Sequence, residues 1–132
     1  MTRYVIDAAA AIELARRGTP VAAAHSLVAP SLMRSQVLSI LYRAVRAGEL
    51  TEKDGKELLT RVTEQKTRLL GDRVSRGTAW RTADELGCTD TPDAEYLAVT
   101  RLQADALVAL DPRLAELARG VVPLASIDEL FS

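Results

Sequence analysis

The sequence predicts a three-layer α/β/α domain built on a mostly parallel sheet, and three features carry that expectation. Short runs rich in strand formers alternate with stretches of helical period, first at Arg3–Ile6 followed by Ala8–Ala15. Ala106–Leu110 is an unbroken apolar run of the kind shown by a parallel strand buried on both faces. Two strand-to-helix junctions are marked by aspartate, Asp7 and Asp111-Pro112. Strands alternating with helices connect by right-handed crossovers, which lay helices on both faces of the sheet.

Taken in order, Arg3–Ile6 is too short and too β-branched for a helix and reads as the first strand. Four alanines after Asp7 then begin a helix, which Arg17-Gly18 and Pro20 end. Ser26–Ala29 is a second strand stopped by Pro30. From Ser31 the period becomes helical, with Leu32, Met33, Gln36, Val37, Ile40, Leu41, Ala44 and Val45 on one stripe and Gly48 closing it. Thr51 caps the next helix, with Asp54 in the reciprocal third position and Leu58, Leu59, Val62, Leu69 and Leu70 as its apolar side. These two helices form a hairpin. Val74-Ser75 reads as an irregular strand, and Thr78–Leu86 as a helix ended by Gly87. Thr91-Pro92-Asp93 is a helix start: a capping hydroxyl, proline at the first position, an acid in the first turn. After the Ala106–Leu110 strand, Asp111-Pro112 opens a helix running to Arg119-Gly120. Val121–Leu124 is read as an edge strand because of Pro123. Ser126–Glu129 has the pattern of a capping box.

Composition narrows the class. The chain has 132 residues, 48% apolar and 27% charged, which suits one compact domain spanning 1–132. Its single cysteine, Cys88, allows no internal disulfide and suits a reducing, cytoplasmic compartment. No apolar run reaches the roughly 18 residues of a membrane span, and no secretory leader is read at the amino terminus. The net charge of −1 hides an asymmetry: residues 1–81 carry 14 Lys and Arg against 8 acids, and residues 82–132 carry 3 against 10. Glycine-rich phosphate loops and CxxC pairs are absent, and His25 is the only histidine.

Ligands of open parallel sheets bind outside the carboxyl ends of the strands. Asp7 and Asp111 are expected at that edge, and Asp93 in the first turn of the helix before the fourth strand. Each aspartate alone reads equally as a helix cap. Together they form an oxygen-rich set that suits Mg²⁺ or Mn²⁺ and, through the ion, a phosphate substrate.

Tyr4-Val5-Ile6-Asp7-Ala8, Ala29-Pro30-Ser31-Leu32, Pro92–Ala98 and Leu107–Leu114 occur in the order seen in PIN domains, and the chain resembles the small VapC-type toxin ribonucleases. The resemblance covers essentially the whole chain; its Asp93 and Asp111 segments are the most specific. It implies a PIN-like fold and Mg²⁺- or Mn²⁺-dependent cleavage of RNA, with Asp7, Asp93 and Asp111 as catalytic metal-holding acids. It also implies a homodimer and a cognate, VapB-like antitoxin whose carboxyl-terminal segment lies around the hairpin and the acidic cleft. The uncovered apolar end, Ile127, Leu130 and Phe131, offers a reason to dimerise.

Two positions depart from the family. Gln36 stands where the family usually has Glu, and Ala9 where Ser or Thr is usual. Gln36 keeps the shape of Glu without its charge, so its amide oxygen is expected beside metal-bound water, with Asp90 as partial compensation. The alternative is therefore a weakened PIN module that binds RNA or a protein without efficient cleavage. A phosphoacceptor domain also begins with strand-Asp, but residues 82–132 contain no lysine to complete one. Arg73, Arg76 and Arg43 are the candidates for RNA phosphate contacts. Trp80 is expected in the core rather than stacked on a base, and Cys88 as a small buried side chain.

Overall fold

A computed structural model describes residues 1–132. Its order is β1 (Thr2–Ile6), α1 (Ala8–Arg17), β2 (His25–Pro30), α2 (Met33–Arg46), α3 (Glu52–Glu64), β3 (Thr67–Leu70), α4 (Arg73–Leu86), α5 (Pro92–Gln103), β4 (Ala106–Val108), α6 (Pro112–Ala118) and a terminal 3-10 helix (Ile127–Phe131). The four strands form one all-parallel sheet in the order β3-β2-β1-β4. The chain first moves outward from β1 to β2 to β3, then returns past β1 to β4. Right-handed crossovers therefore put α1, α2 and α3 on one face and α4 and α5 on the other. The direction reverses between β1 and β4, and that is where an α/β sheet opens a crevice at its carboxyl edge.

The core justifies this layering. Val5 and Ile6 of β1 and Leu107 and Val108 of β4 are fully buried, as are Ala10, Ala11, Val37, Leu97 and Val99 of the helices. Thr51 Oγ1 accepts from Asp54 N at 3.1 Å, capping α3. The reciprocal bond is not made, because aspartate is one methylene shorter than the usual glutamate. At the other end of the chain both bonds of the Ser126–Glu129 capping box form.

Several expectations are corrected. Leu69 and Leu70 are not on the hairpin helix: α3 stops at Glu64, and Thr67–Leu70 is β3, pairing with Leu27–Pro30. Val74 and Ser75 lie in the first turn of α4, capped by Asp72, whose side chain accepts from Ser75 N at 2.8 Å. Thr91 makes no side-chain cap bond to α5. Val121–Leu124 is not a strand but a single bridge from Leu124 to Leu107, since Pro123 has no N–H to donate. The terminal apolar group is not uncovered: Ile127 and Leu130 are buried in the core, and Arg17 sits over the Phe131 ring. That removes the stated reason for dimerisation.

Trp80 is 70% exposed rather than in the core. The inward face of α4 is Ser75, Ala79, Thr82 and Ala83, and these small side chains let it pack closely on α5. The tryptophan is left on the outer side. Cys88 is half-buried and free. No helix is long and apolar enough to cross a membrane.

Candidate active site

Asp7 is placed by the end of β1 and held by the start of α1. As the N-cap of that helix, it accepts at Oδ1 from Ala10 N at 2.8 Å. Its Oδ2 accepts from Asp111 N at 2.9 Å, across 104 positions of sequence. The residue is 2% exposed, yet it lines an open cleft of about 640 Å³ at the β1–β4 reversal. Asp111 caps α6 through Arg113 N at 3.0 Å and lines the same cleft, as does Asp93 in the first turn of α5. The three aspartates expected at the carboxyl edge thus face one cleft, together with Gln36 and Arg43 of α2.

The electrostatics reflect that crowding. Burial raises the Asp7 carboxyl above its ordinary range, and the Asp111 charge adds to this. The amides of Asp111, Ala10 and Leu110 pull the other way. Asp93 is raised by burial and by the charges of Asp111 and Asp90, against the Arg113 guanidinium, whose Nε lies 3.4 Å from Asp93 Oδ2. Asp90 is an exposed residue that acts on the cleft through this charge and does not line it. Arg73 and Arg76 do not line it either; they occupy the first turn of α4, after β3.

The shift at Asp93 gives a pH dependence with a definite sign. A carboxyl raised in the folded state stabilises that state while protonated. The contribution is complete below the unfolded value near 3.8 and is lost as pH rises through the raised folded value. In chelator, the thermal midpoint of the wild type should fall relative to that of Asp93→Asn as pH rises above about 4. Parallel midpoints across that range would show that ionised Asp93 carries no burial cost.

Two residues had no role assigned from sequence. Tyr96, one turn after Asp93, is 1% exposed and donates its hydroxyl to Gln36 Oε1 at 2.5 Å. Burial and the Asp7 charge raise its pKa strongly, so the phenol stays protonated. The signal for it was its place: Asp93 and Tyr96 share one face of α5 at helical spacing. Arg113 is 80% exposed and is the cation closest to Asp93; it lies two residues after Asp111.

The donor set is all oxygen, the chemistry that suits a hard divalent cation. No three acidic, histidine or cysteine side chains are gathered into one ligand shell, however. Asp7 spends one lone pair of each oxygen on a backbone amide, and Arg113 occupies one side of Asp93. The residues have the chemistry for a cation, and holding one would require Arg113 to leave Asp93 and the three carboxylates to draw closer together.

No protein-family model and no curated protein sequence matches the chain. Its structure is similar to the crystal structure of PAE2754 from Pyrobaculum aerophilum, with a TM-score of 0.70 and 22% identity over 98% of this chain and 94% of that one. This likeness shows the fold.

Proposed function

We propose that the protein is a Mg²⁺- or Mn²⁺-dependent endoribonuclease of the PIN-like, VapC toxin type, restrained by a cognate antitoxin. The observation that carries this reading is the convergence of Asp7, Asp93 and Asp111 on one cleft at the strand-order reversal. Burial is the main cause of the raised pKa values of Asp7 and Asp93, with a smaller part from the neighbouring carboxylate charges. Perturbed carboxyls in a cleft are in keeping with a functional site.

In this reading Asp7, Asp93 and Asp111 would hold the ion once drawn together around it. A bound divalent cation lowers the pKa of a water and shields the scissile phosphate. The chain's own part is positional. Backbone amides of Ala10 and Asp111 fix the orientation of the Asp7 carboxylate. The N-terminus of α1 adds a favourable dipole for the same negative charge. Arg113, being exposed, would have to leave Asp93 for that carboxylate to reach the ion. The test is cleavage of unstructured RNA in Mn²⁺ against the same reaction in chelator; equal rates would reject the reading.

A second reading, a PIN-like module that binds without efficient cleavage, is favoured by one observation: Gln36 brings no charge to the cleft. If a fourth carboxylate is what the site lacks, Gln36→Glu should tighten Mn²⁺ binding by about tenfold. Calorimetry finding equal or weaker Mn²⁺ affinity in that variant would show that the amide is no deficit for the ion. A homodimer belongs to both readings.

A further inference from the structure

We infer that the α2 wall of the cleft is a binding subsite for a nucleic-acid phosphodiester, built from Gln36, Ser39 and Arg43, and that Gln36 serves there as a hydrogen-bond donor. The inference deepens the nuclease reading, on which its choice of ligand rests, but it concerns the wall facing the acids.

The orientation of the Gln36 amide follows from its neighbours. The Tyr96 hydroxyl donates to Gln36 Oε1, which turns the oxygen of the amide toward α5. With Oε1 engaged, the Gln36 amide nitrogen is left without a protein partner and borders the cleft. A side chain expected from sequence to offer oxygen to a metal-bound water therefore offers N–H groups instead.

Ser39 and Arg43 extend this chemistry along the helix. Residues 36, 39 and 43 lie on one face, at helical spacing, and all three line the cleft. Arg43 Nη1 donates to Ser39 Oγ at 3.1 Å, which orders the guanidinium and leaves the serine hydroxyl proton free to donate. Arg43 has no carboxylate within salt-bridge reach, unlike Arg113 across the cleft. The acids have gathered on one side and unpaired donors on the other. A group that fits such a wall carries several acceptor oxygens and a negative charge but presents no donor. A phosphodiester does so, and guanidinium and amide donors are its usual partners.

The experiment is anisotropy of a fluorescein-labelled, unstructured RNA 10-mer in chelator, so that neither metal nor cleavage contributes. Wild type, Gln36→Glu, Arg43→Gln and the distant control Arg119→Gln are compared. Gln36→Glu keeps the acceptor that the buried Tyr96 hydroxyl needs and turns only the donor into an acceptor. Folding of each variant is verified by its thermal midpoint. Gln36→Glu and Arg43→Gln should each weaken RNA binding by about three- to tenfold, and Arg43→Gln should reduce the salt slope by about one. Arg119→Gln should change neither. Affinities of the two α2 variants equal to that of Arg119→Gln would overturn the subsite. So would a polyglutamate peptide of matched charge competing as well as the RNA, which would assign the wall to an acidic protein segment. Calorimetry with Mn²⁺ separates the two readings. A wild type that binds no Mn²⁺ but loses RNA on Gln36→Glu defeats the nuclease and leaves the subsite standing. Normal Mn²⁺ binding with RNA affinity indifferent to both α2 variants does the reverse.

Discussion

Asp93→Asn should lower Mn²⁺-dependent cleavage of unstructured RNA by about 10²- to 10³-fold while leaving the fold intact. The side chain makes no hydrogen bond within the protein; its one contact of consequence is with Arg113 at 3.4 Å. Asparagine therefore removes charge without removing structural support. On the proposed nuclease reading, losing one of three anionic ligands should weaken the hold on the ion as well as the shielding of charge on the scissile phosphate. The measurement is the initial rate on a labelled oligonucleotide for wild type and variant, each in Mn²⁺ and in chelator. A wild type no faster than the variant would transfer the protein to the binding-module reading. Cutting that persists in chelator would reject metal dependence outright.

Asp7→Ala should give the largest loss of stability among alanine variants of the three aspartates, about 2–4 kcal/mol. It removes the cap of α1 and leaves two amides, Ala10 N and Asp111 N, without the acceptor they now share. The relief of a buried charge offsets part of this, because burial already raises the Asp7 pKa. Asp7→Asn should cost less, since its Oδ1 can still cap α1 while its amide group faces Asp111 N donor to donor. Urea unfolding of the three proteins would resolve the order; an alanine variant as stable as wild type would show that the bond to Asp111 holds nothing together. Both substitutions should abolish Mn²⁺ binding, so function and stability separate at Asp93 and coincide at Asp7.

The contrast shows what the sequence made legible. Asp7 and Asp111 could be placed because each ends an apolar run too short for a helix and begins a strong helix former. Such junctions in a parallel sheet fall on one edge. Asp93 could be placed by the proline before it. β3 was hidden because Leu69 and Leu70 continue the spacing of Leu58, Leu59 and Val62, and the only break lies at Gln65-Lys66. Apolar neighbours Ala79, Ala83 and Leu86 suggest a buried Trp80, whereas the close approach of α4 to α5 takes the alanines inside and leaves the tryptophan out. The Tyr96–Gln36 bond joins positions 60 apart, and no local pattern announces such a pair. The direction in which Gln36 presents its amide could come only from the packed structure.

The position of β1 also sets an order of events in refolding. Tyr4 pairs with Leu27 on one side and with Ala106 on the other. The second closure spans a loop more than four times as long, and costs about 1.3 kcal/mol more in chain entropy. The half-sheet β3-β2-β1, with its helical hairpin, can therefore condense while β4 is still searching. Asp111 meets Asp7 only when that late strand docks. The cleft is thus a product of the longest-range pairing in the sheet: it forms only as β4 docks on β1, and it is lost when β4 detaches.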